Sequence, residues 1–263
     1  MSQTDSVNFD RAADFYDATR DRGDEVTART IDLLAQEFRD RGRALEVGVG
    51  TGAIALPLAT RGVPLVGIDV STAMMTKLVE KAGGRRPFPL LRADATRVPI
   101  RDGALAGAYA RHVLHLISDW RAVVAELCRV VGRGVVLTDV GSGEDGWLEF
   151  WQAMQPALGP EADPIGLDVV DQGTDVLDAA FAASGGRLRT VEEIPSRDDE
   201  TVAEALASIR AKSPSWTWRV ADGDLERAIA LATVWAKDKF GTLDVRLVEE
   251  TTVRWRIYDV DGS

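Results

Sequence analysis

The sequence contains a single cysteine, Cys128, among its 263 residues. One cysteine cannot form a disulfide within the chain, and no cluster of cysteine and histidine residues has the spacing of a metal site, so no metal is predicted. Cys128 falls in an apolar helical pattern with Val124, Leu127 and Val131, which indicates a small buried side chain rather than a reactive thiol. A reducing cytoplasm is the simplest expectation.

Long apolar segments and an excess of positive charge are also missing. No apolar run approaches the ~18 residues of a membrane span, and the first ten residues, MSQTDSVNFD, are polar and acidic, without the apolar centre of a signal peptide. The 31 Lys and Arg are outnumbered by 42 Asp and Glu, which gives a formal net charge of −11. This balance argues against nucleic acid or an anionic membrane as the main partner.

Short apolar segments alternate with helical patterns from residue 25 to about 140. This alternation is typical of βαβ units and a parallel sheet. The predicted strands are Ala44–Val49, Pro64–Asp69, Pro87–Leu91, Leu105–Tyr109 and Gly134–Val140. The predicted helices are residues 25–40, 52–60, 71–82 and 119–131. Ser118 or Asp119 is expected to cap the last helix, Gly132 to end it, and Pro57 to distort the helix that contains it.

The rhythm changes after Val140. A helical pattern with Trp147 and Trp151 leads through a turn-rich stretch to a predicted helix at 172–184, a strand at 188–194 and a closing strand at 249–260. About fifty residues separate these two strands, which is more than a tight hairpin needs. They hold two further helical patterns. We therefore expect a helical cap over the ligand-binding edge of the sheet.

The stretch LEVGVGTGAIAL, residues 45–56, carries Gly48, Gly50 and Gly52 between a predicted strand and a helix. Bare backbone N–H groups at such a turn suit a polar or anionic ligand at the carboxyl edge of the sheet. Dinucleotide-binding proteins favour G-x-G-x-x-G, and Ala53 can stand in for the third glycine here. The glycines alone therefore leave open NAD, another adenosine cofactor, or simply a tight turn.

Acidic residues follow the next two predicted strands. Asp69 ends the second strand, where a carboxylate can accept hydrogen bonds from both hydroxyls of a ribose. Asp94 lies just past the third strand and can accept from an adenine amino group, while the backbone N–H of Ala95 faces a ring nitrogen. The fourth strand ends in Arg111 and His112 instead of the Tyr-x-x-x-Lys set of a hydride-transfer enzyme.

This combination resembles the class I S-adenosylmethionine-dependent methyltransferases, and most of all their bacterial small-molecule branch of the ubiquinone and menaquinone type. The resemblance covers about residues 8–140, including FDRAADFYDATR near the start. It implies an α/β fold with a Rossmann-like, seven-stranded, mostly parallel sheet of order 3-2-1-4-5-7-6, the last strand being antiparallel, with helical cap insertions. It also implies methyl transfer from S-adenosyl-L-methionine to an O, N or C atom of a small-molecule acceptor.

The resemblance implies the following contacts with the cofactor. Gly48, Gly50 and Gly52 pass its methionine part, and Glu46 orients that loop. Asp69 takes the ribose. The residues around the adenine are Val70, Met74, Asp94 and Ala95.

Two arginines and a tyrosine complete the implied site. Arg111 lies beside the methionyl group, while Tyr16 and Arg20 belong to a segment that folds over the cofactor. A guanidinium group such as that of Arg20 matches a carboxylate bidentately.

The implied division of the chain follows from these assignments. It consists of an N-terminal lid (1–24), a cofactor-binding core (25–143), a helical cap (144–170), a late core helix and strand (171–196), a helical cap insertion (197–245) and a final core strand (246–263). The protein is expected to be a monomer or homodimer.

His115 and His112 are the candidate catalytic residues, because an imidazole titrates near neutral pH and can act as a general base. The alternative is that both are hydrogen-bonded wall residues, since methyl transfer mainly requires in-line placement of the reactants. Trp147, Trp151 and the SWTW segment can likewise line a substrate pocket or pack the cap. Two other functions stay open: an NAD-dependent oxidoreductase, and a binding module that holds the cofactor without transferring methyl.

Overall fold

A computed structural model describes residues 24–144, 147–159, 162 and 173–261. The helices are α1 (Asp24–Glu37), α2 (Ala55–Thr60), α3 (Thr72–Lys81), α4 (Trp120–Val131), α5 (Leu148–Met154), α6 (Asp175–Ala183), α7 (Val202–Arg210) and α8 (Asp222–Phe240). The strands are β1 (Ala44–Val47), β2 (Leu65–Asp69), β3 (Leu90–Arg92), β4 (Gly107–Ala110), β5 (Gly134–Glu144), β6 (Gly186–Thr201) and β7 (Arg246–Val260). Short 3₁₀ helices lie at Leu114–Leu116, Gln155–Ala157 and Ser215–Trp218.

The seven strands form one sheet of order β3-β2-β1-β4-β5-β7-β6. The first five strands run parallel to one another, and β7 runs antiparallel to both β5 and β6. Helices α1 to α3 pack on one face around Leu34, Leu58 and Leu78, and helices α4 and α6 pack on the other around Leu127 and Phe181. The predicted sheet order and its antiparallel strand are confirmed.

The predicted elements are present, and proline or glycine moves the start of two of them. β3 begins only at Leu90, because Pro87 and Pro89 cannot donate to the ladder. α2 begins at Ala55 rather than at residue 52, since Gly52 has a left-handed φ of 82°.

The ends of helix α4 show which of the predicted capping residues is used. Asp119, not Ser118, caps the helix by accepting a hydrogen bond from the backbone N–H of Ala122. Gly132 follows the last turn with a φ of 62°. Cys128 is buried within this helix, as its position in the apolar pattern predicts.

The late strands are longer than predicted and continue past the parallel part of the sheet. Thr138 of β5 pairs with the last residue of β4, and β5 then runs on to Glu144 beside the first half of β7. β6 extends with them to Thr201, the ladder partner of Arg246. Because β5 runs parallel to β1 and β4, this extension projects from the carboxyl edge of the sheet.

Helices α5, α7 and α8, here called the cap, follow or precede the ends of this extension. Their apolar faces form a cluster separate from the two that cover the sheet, with Phe150, Leu206 and Ile229 among its buried members. The cap therefore has a small core of its own at the carboxyl edge. None of the described helices is both long enough and apolar enough to cross a bilayer.

Candidate active site

The glycine loop after β1 is held in left-handed backbone conformations. Gly48, Gly50 and Gly52 have φ angles of 70°, 52° and 82°, which residues with a side chain rarely adopt. A Cβ at Gly48 would lie 2.6 Å from Cγ2 of Val113. A side chain at the first of these positions is thus excluded by packing as well as by φ, and the loop presents bare backbone at the carboxyl edge.

Asp69 ties this loop to the start of α3. Its Oδ2 atom accepts a 2.9 Å hydrogen bond from the N–H of Gly50, and its Oδ1 atom accepts one of 2.8 Å from the N–H of Ser71. The Ser71 hydroxyl in turn caps α3 by accepting from the N–H of Met74. The predicted ribose-binding carboxylate therefore also sets the shape of two loops, and carboxylate oxygens have lone pairs for further donors.

The residues predicted around the adenine lie in helix α3 and in the segments that follow β2 and β3. The Met74 side chain is buried, and its ε-methyl carbon lies 3.6 Å from the position of a Cβ built at Gly50. Arg92 at the end of β3 donates to the backbone carbonyl of Val70. Asp94 follows, with Oδ1 accepting from the N–H and hydroxyl of Thr96.

Ala95 follows Asp94 and is buried. The structure thus brings the glycine loop, Val70, Met74 and the Asp94–Ala95 pair to one edge of the sheet. Bare backbone flanked by two carboxylates and an apolar side chain fits an adenosine cofactor.

Glu46 of β1 is buried beside Tyr109 of β4, whose hydroxyl donates a 2.8 Å hydrogen bond to its Oε2 atom. Burial raises the pKa of Glu46 to about 8, while Tyr109 and the nearby charge of Arg111 act in the opposite direction and the charge of Asp69 adds to the increase. The carboxyl is therefore mainly protonated at neutral pH. Tyr109 is a member of the site that sequence reasoning missed, because its neighbours in the chain are plain strand residues.

A second missed residue, Asp139, lies in β5 directly after its parallel pairing with β4. Its Oδ1 atom accepts a 2.8 Å hydrogen bond from the backbone N–H of His112, and its Oδ2 atom is 3.3 Å from Nδ1 of the same histidine. Nε of Arg111 is 3.9 Å from Oδ2, too far for a hydrogen bond. The signal in the sequence was an acidic residue shortly after the apolar run VVL, at the same sheet edge as Asp69.

His115 and the lid residues are the remaining predicted members of the site. His115 lies in the 3₁₀ helix after β4 and is partly exposed. Tyr16 and Arg20, with nearly all of the predicted lid, lie outside the described residues.

Five tryptophans belong to the cap region, among them Trp235 of α8. Trp147 is buried in the cap core, as the packing alternative predicted, and Trp151 contacts Trp216 edge to face with a centroid distance of 6.0 Å. Trp218 donates a hydrogen bond from its indole nitrogen to the carbonyl of Lys212. Trp151 remains 37% exposed.

Comparison with known proteins agrees with this geometry. Residues 45–138, which include the glycine loop, Asp69, Asp94 and both histidines, match the family described as "Methyltransferase domain". This part of the chain is therefore similar to a methyltransferase domain. The match ends at Thr138, so it leaves the cap and the late strands outside.

Two curated relatives extend the comparison. A malonyl-(acyl-carrier protein) O-methyltransferase of Legionella pneumophila is 30% identical over 154 residues, covering 58% of this chain and 54% of that protein. A demethylmenaquinone methyltransferase of Beutenbergia cavernae is 32% identical over 146 residues, covering 54% and 59%. The chain thus spans little more than half the length of these relatives.

The fold itself is shared more widely. The crystal structure of the YcgJ protein from Bacillus subtilis superposes with a TM-score of 0.58 at 19% identity, covering 89% of this chain and 100% of that one. At this level of identity the likeness concerns the fold alone.

Proposed function

We propose that this protein transfers a methyl group from S-adenosyl-L-methionine to an oxygen, nitrogen or carbon atom of a small-molecule acceptor. The observation that carries the proposal is the ordered set of groups at the carboxyl edge: the left-handed glycine loop, Asp69 on its backbone, and Asp94 one strand further. When bound, the cofactor supplies an electrophilic methyl group on a sulfonium centre.

Each residue has a part in this proposal. Gly48–Gly52 and Glu46 lie along the methionyl part, Asp69 accepts from the ribose, and Val70, Met74, Asp94 and Ala95 surround the adenine. Arg111 stands beside the methionyl group, and Tyr16 and Arg20 close over it. His112 and His115 are the candidate bases.

The acceptor space is proposed to lie between the carboxyl edge at β5 and the cap. The cap is attached to strands that continue beyond the cofactor edge, and it carries Trp151 and Trp216 in contact with each other. A compact, partly apolar acceptor such as a quinone precursor or polyketide suits a helical cap of this kind better than a nucleic acid does.

Calorimetry tests the cofactor assignment. S-adenosylhomocysteine is expected to bind and NAD to leave no heat signal; NAD binding in the absence of S-adenosylhomocysteine binding would refute the proposal. The acceptor class is tested by offering tritium-methyl-labelled S-adenosylmethionine together with tRNA, protein extract or metabolite extract. Label in tRNA or protein alone contradicts the small-molecule assignment.

A further inference from the structure

The buried carboxylate of Asp139 is a group at the carboxyl edge that the cofactor assignment does not use. It belongs to β5, between the cofactor strands and the extension that carries the cap. Its side chain is only 5% exposed. A charge this deeply buried is costly unless a partner or a ligand compensates for it.

The partner that the structure provides is His112. The backbone N–H of His112 donates to Oδ1 of Asp139, and the imidazole Nδ1 lies 3.3 Å from Oδ2. Oδ2 and the Nε atom of Arg111 find no hydrogen-bond partner within the described part of the chain. One carboxylate therefore contacts both the main chain and the ring of the same histidine.

The backbone of His112 gives a second, independent indication. Its φ is +52°, in the left-handed region, where residues other than glycine are uncommon. Such strain persists only when the surroundings enforce it, and it is frequent at functional sites. The hydrogen bond from its N–H to Asp139 is a contact that holds this conformation.

The imidazole also reaches the protein surface. The His112 side chain is 46% exposed, whereas its carboxylate partner is almost fully buried. With Nδ1 directed at Asp139, the Nε2 atom lies on the side of the ring away from the carboxylate. The 3.3 Å approach of Oδ2 to Nδ1 places the carboxylate where an orienting acid stands beside a general base.

We propose that Asp139 is a positioning residue that holds His112 as the general base for the acceptor, an inference that rests on the proposed methyl transfer. The acceptor is then a molecule whose nucleophilic atom carries a proton, such as a hydroxyl or an amine. Its lone pair forms the bond to the methyl carbon while the carbon–sulfur bond breaks, leaving that electron pair on sulfur. The proton passes to Nε2 of His112 and then to solvent.

The charged groups around the imidazole fit the role of His112 as a base that becomes protonated. Asp139 approaches from β5 and Arg111 from the end of β4, and the charges of Arg111 and Asp69 both act on Glu46 of β1. The pKa of Glu46, raised to about 8, leaves it mainly uncharged at neutral pH. Among the contacts described, the carboxyl group beside the imidazole is that of Asp139, and a carboxylate at this position favours the protonated ring.

The first test does not depend on the acceptor. The chain has two histidines, so tag-free protein labelled with ¹⁵N gives imidazole spectra that His112→Asn and His115→Asn variants assign. Neutral His112 is expected to carry its proton on Nδ1. Asp139→Asn is expected to lower the His112 pKa by about one unit, because a carboxylate in contact is removed while Arg111 remains.

Asp119→Asn is the matched control, since it removes an exposed carboxylate and keeps an equally good helix cap. It should leave the His112 pKa unchanged. An Nε2-protonated tautomer, or equal His112 pKa values in wild type and the Asp139→Asn variant, overturns the proposal. Should Asp139→Asn fail to give a folded melting transition, Asp139→Glu provides the comparison, with an intermediate pKa expected.

The second test is the rate of label transfer to whichever metabolite fraction the wild type methylates. His112→Asn retains a residue that tolerates a left-handed backbone, and it should lower kcat by ~100-fold or more with little change in KM for the cofactor. Asp139→Asn should shift the pH–rate profile with the His112 pKa, and Asp139→Glu should restore part of the rate. Wild-type rates in both His112→Asn and Asp139→Asn would contradict the proposed pairing of His112 with Asp139. A loss of rate found only in His115→Asn would contradict it as well.

The two proposals fail in different ways. If wild type binds S-adenosylhomocysteine and transfers label while His112→Asn is unimpaired, the proposed pairing is wrong and the methyltransferase assignment stands. If wild type neither binds S-adenosylhomocysteine nor transfers label, the proposed function fails, and the role of His112 as a base for methyl transfer fails with it.

Discussion

The hydroxyl of Tyr109 donates to the carboxyl of Glu46 between two adjacent parallel strands, in a position that is closed to solvent. The pair lies next to the glycine loop, since Glu46 comes two residues before Gly48. A buried, mainly neutral carboxyl at this place links the pH dependence of folding to the proposed cofactor site.

Replacing Glu46 by Gln should flatten the pH dependence of stability. The pKa of Glu46 is raised from 4.5 to about 8 in the folded protein. Between these values the unfolded chain binds fewer protons than the folded one, so the free energy of unfolding falls as pH rises, by at most ~1.4 kcal/mol per pH unit. Glu46→Gln removes this contribution, and urea denaturation at a series of pH values measures it.

Glu126→Gln is the control for that experiment, because its sign is opposite. Arg129 holds the pKa of Glu126 below 4.5, so the stabilisation is present above that value and is lost as pH falls below it. The Glu126 variant should keep the wild-type slope between pH 4.5 and 8. If the free energy of unfolding depends on pH in the same way in wild type and Glu46→Gln, the slope does not arise from Glu46.

Replacing Tyr109 by Phe should destabilise the protein by about 1–3 kcal/mol, because a buried carboxyl loses its donor. The hydrogen bond lowers the Glu46 pKa, so its removal should also move the upper end of the pH-dependent window to higher pH. Denaturation of Tyr109→Phe, Glu46→Gln and the double variant gives the coupling between the two side chains. Strict additivity would mean that the hydrogen bond contributes nothing.

Alanine at Gly48 should be more destabilising than alanine at Gly62. Both glycines have positive φ, 70° and 84°, but a Cβ at Gly62 meets no atom within 4 Å, whereas one at Gly48 meets Val113 at 2.6 Å. Gly62→Ala should cost ~1–2 kcal/mol from backbone strain alone. Gly48→Ala should add an overpacking penalty of similar size, and Val113→Ala in the same chain should recover that part. Equal losses in thermal or urea denaturation would refute the steric account.

Asp69→Asn should weaken the binding of S-adenosylhomocysteine about tenfold to a hundredfold, equivalent to about 1–3 kcal/mol. The carboxylate accepts from the N–H of both Gly50 and Ser71, and an amide cannot accept on both sides. Calorimetry measures the affinity, with Asp119→Asn as a surface carboxylate control. Unchanged affinity would mean that the adenosine lies elsewhere.

The thiol of Cys128 should react with Ellman's reagent only after unfolding. It is buried in α4, and burial raises its pKa to about 12, so almost no thiolate is present at neutral pH. The rate of labelling in native buffer should therefore follow the opening of the structure, and labelling in concentrated guanidinium chloride should be immediate. Rapid labelling of native protein would show that α4 is not packed as described.

The residues of the proposed cofactor site could be predicted from sequence because the patterns that mark them are local. A glycine run after an apolar strand needs positive φ, and an acidic residue at each following strand end lies at the same sheet edge whatever the details of packing. The positions of Asp69 and Asp94 at this edge were predicted in this way. Asp69 also binds two loop N–H groups, and no pattern of residue types revealed this, because the partners are backbone atoms.

Asp139 and Tyr109 escaped prediction for a different reason. Each becomes meaningful only through a neighbour 27 or 63 residues away in the chain, His112 for one and Glu46 for the other. Parallel strands join residues that are distant in sequence, and a single sequence carries no record of the pairing. The excess length of β6 and β7 was missed likewise, since an exposed antiparallel extension alternates polar residues too irregularly to mark its end.

The direct pairing of Thr201 with Arg246 gives residues 202–245 the topology of a hairpin loop, with the N–H of Val202 bonded to the carbonyl of Val245. The chain enters and leaves this part of the cap at a single rung of the ladder. The length and sequence of the segment therefore do not affect how the strands of the sheet pair. Under the proposed function, acceptor selectivity can therefore vary through residues 202–245, and through the α5 side chains packed on them, without a change in the cofactor-binding residues.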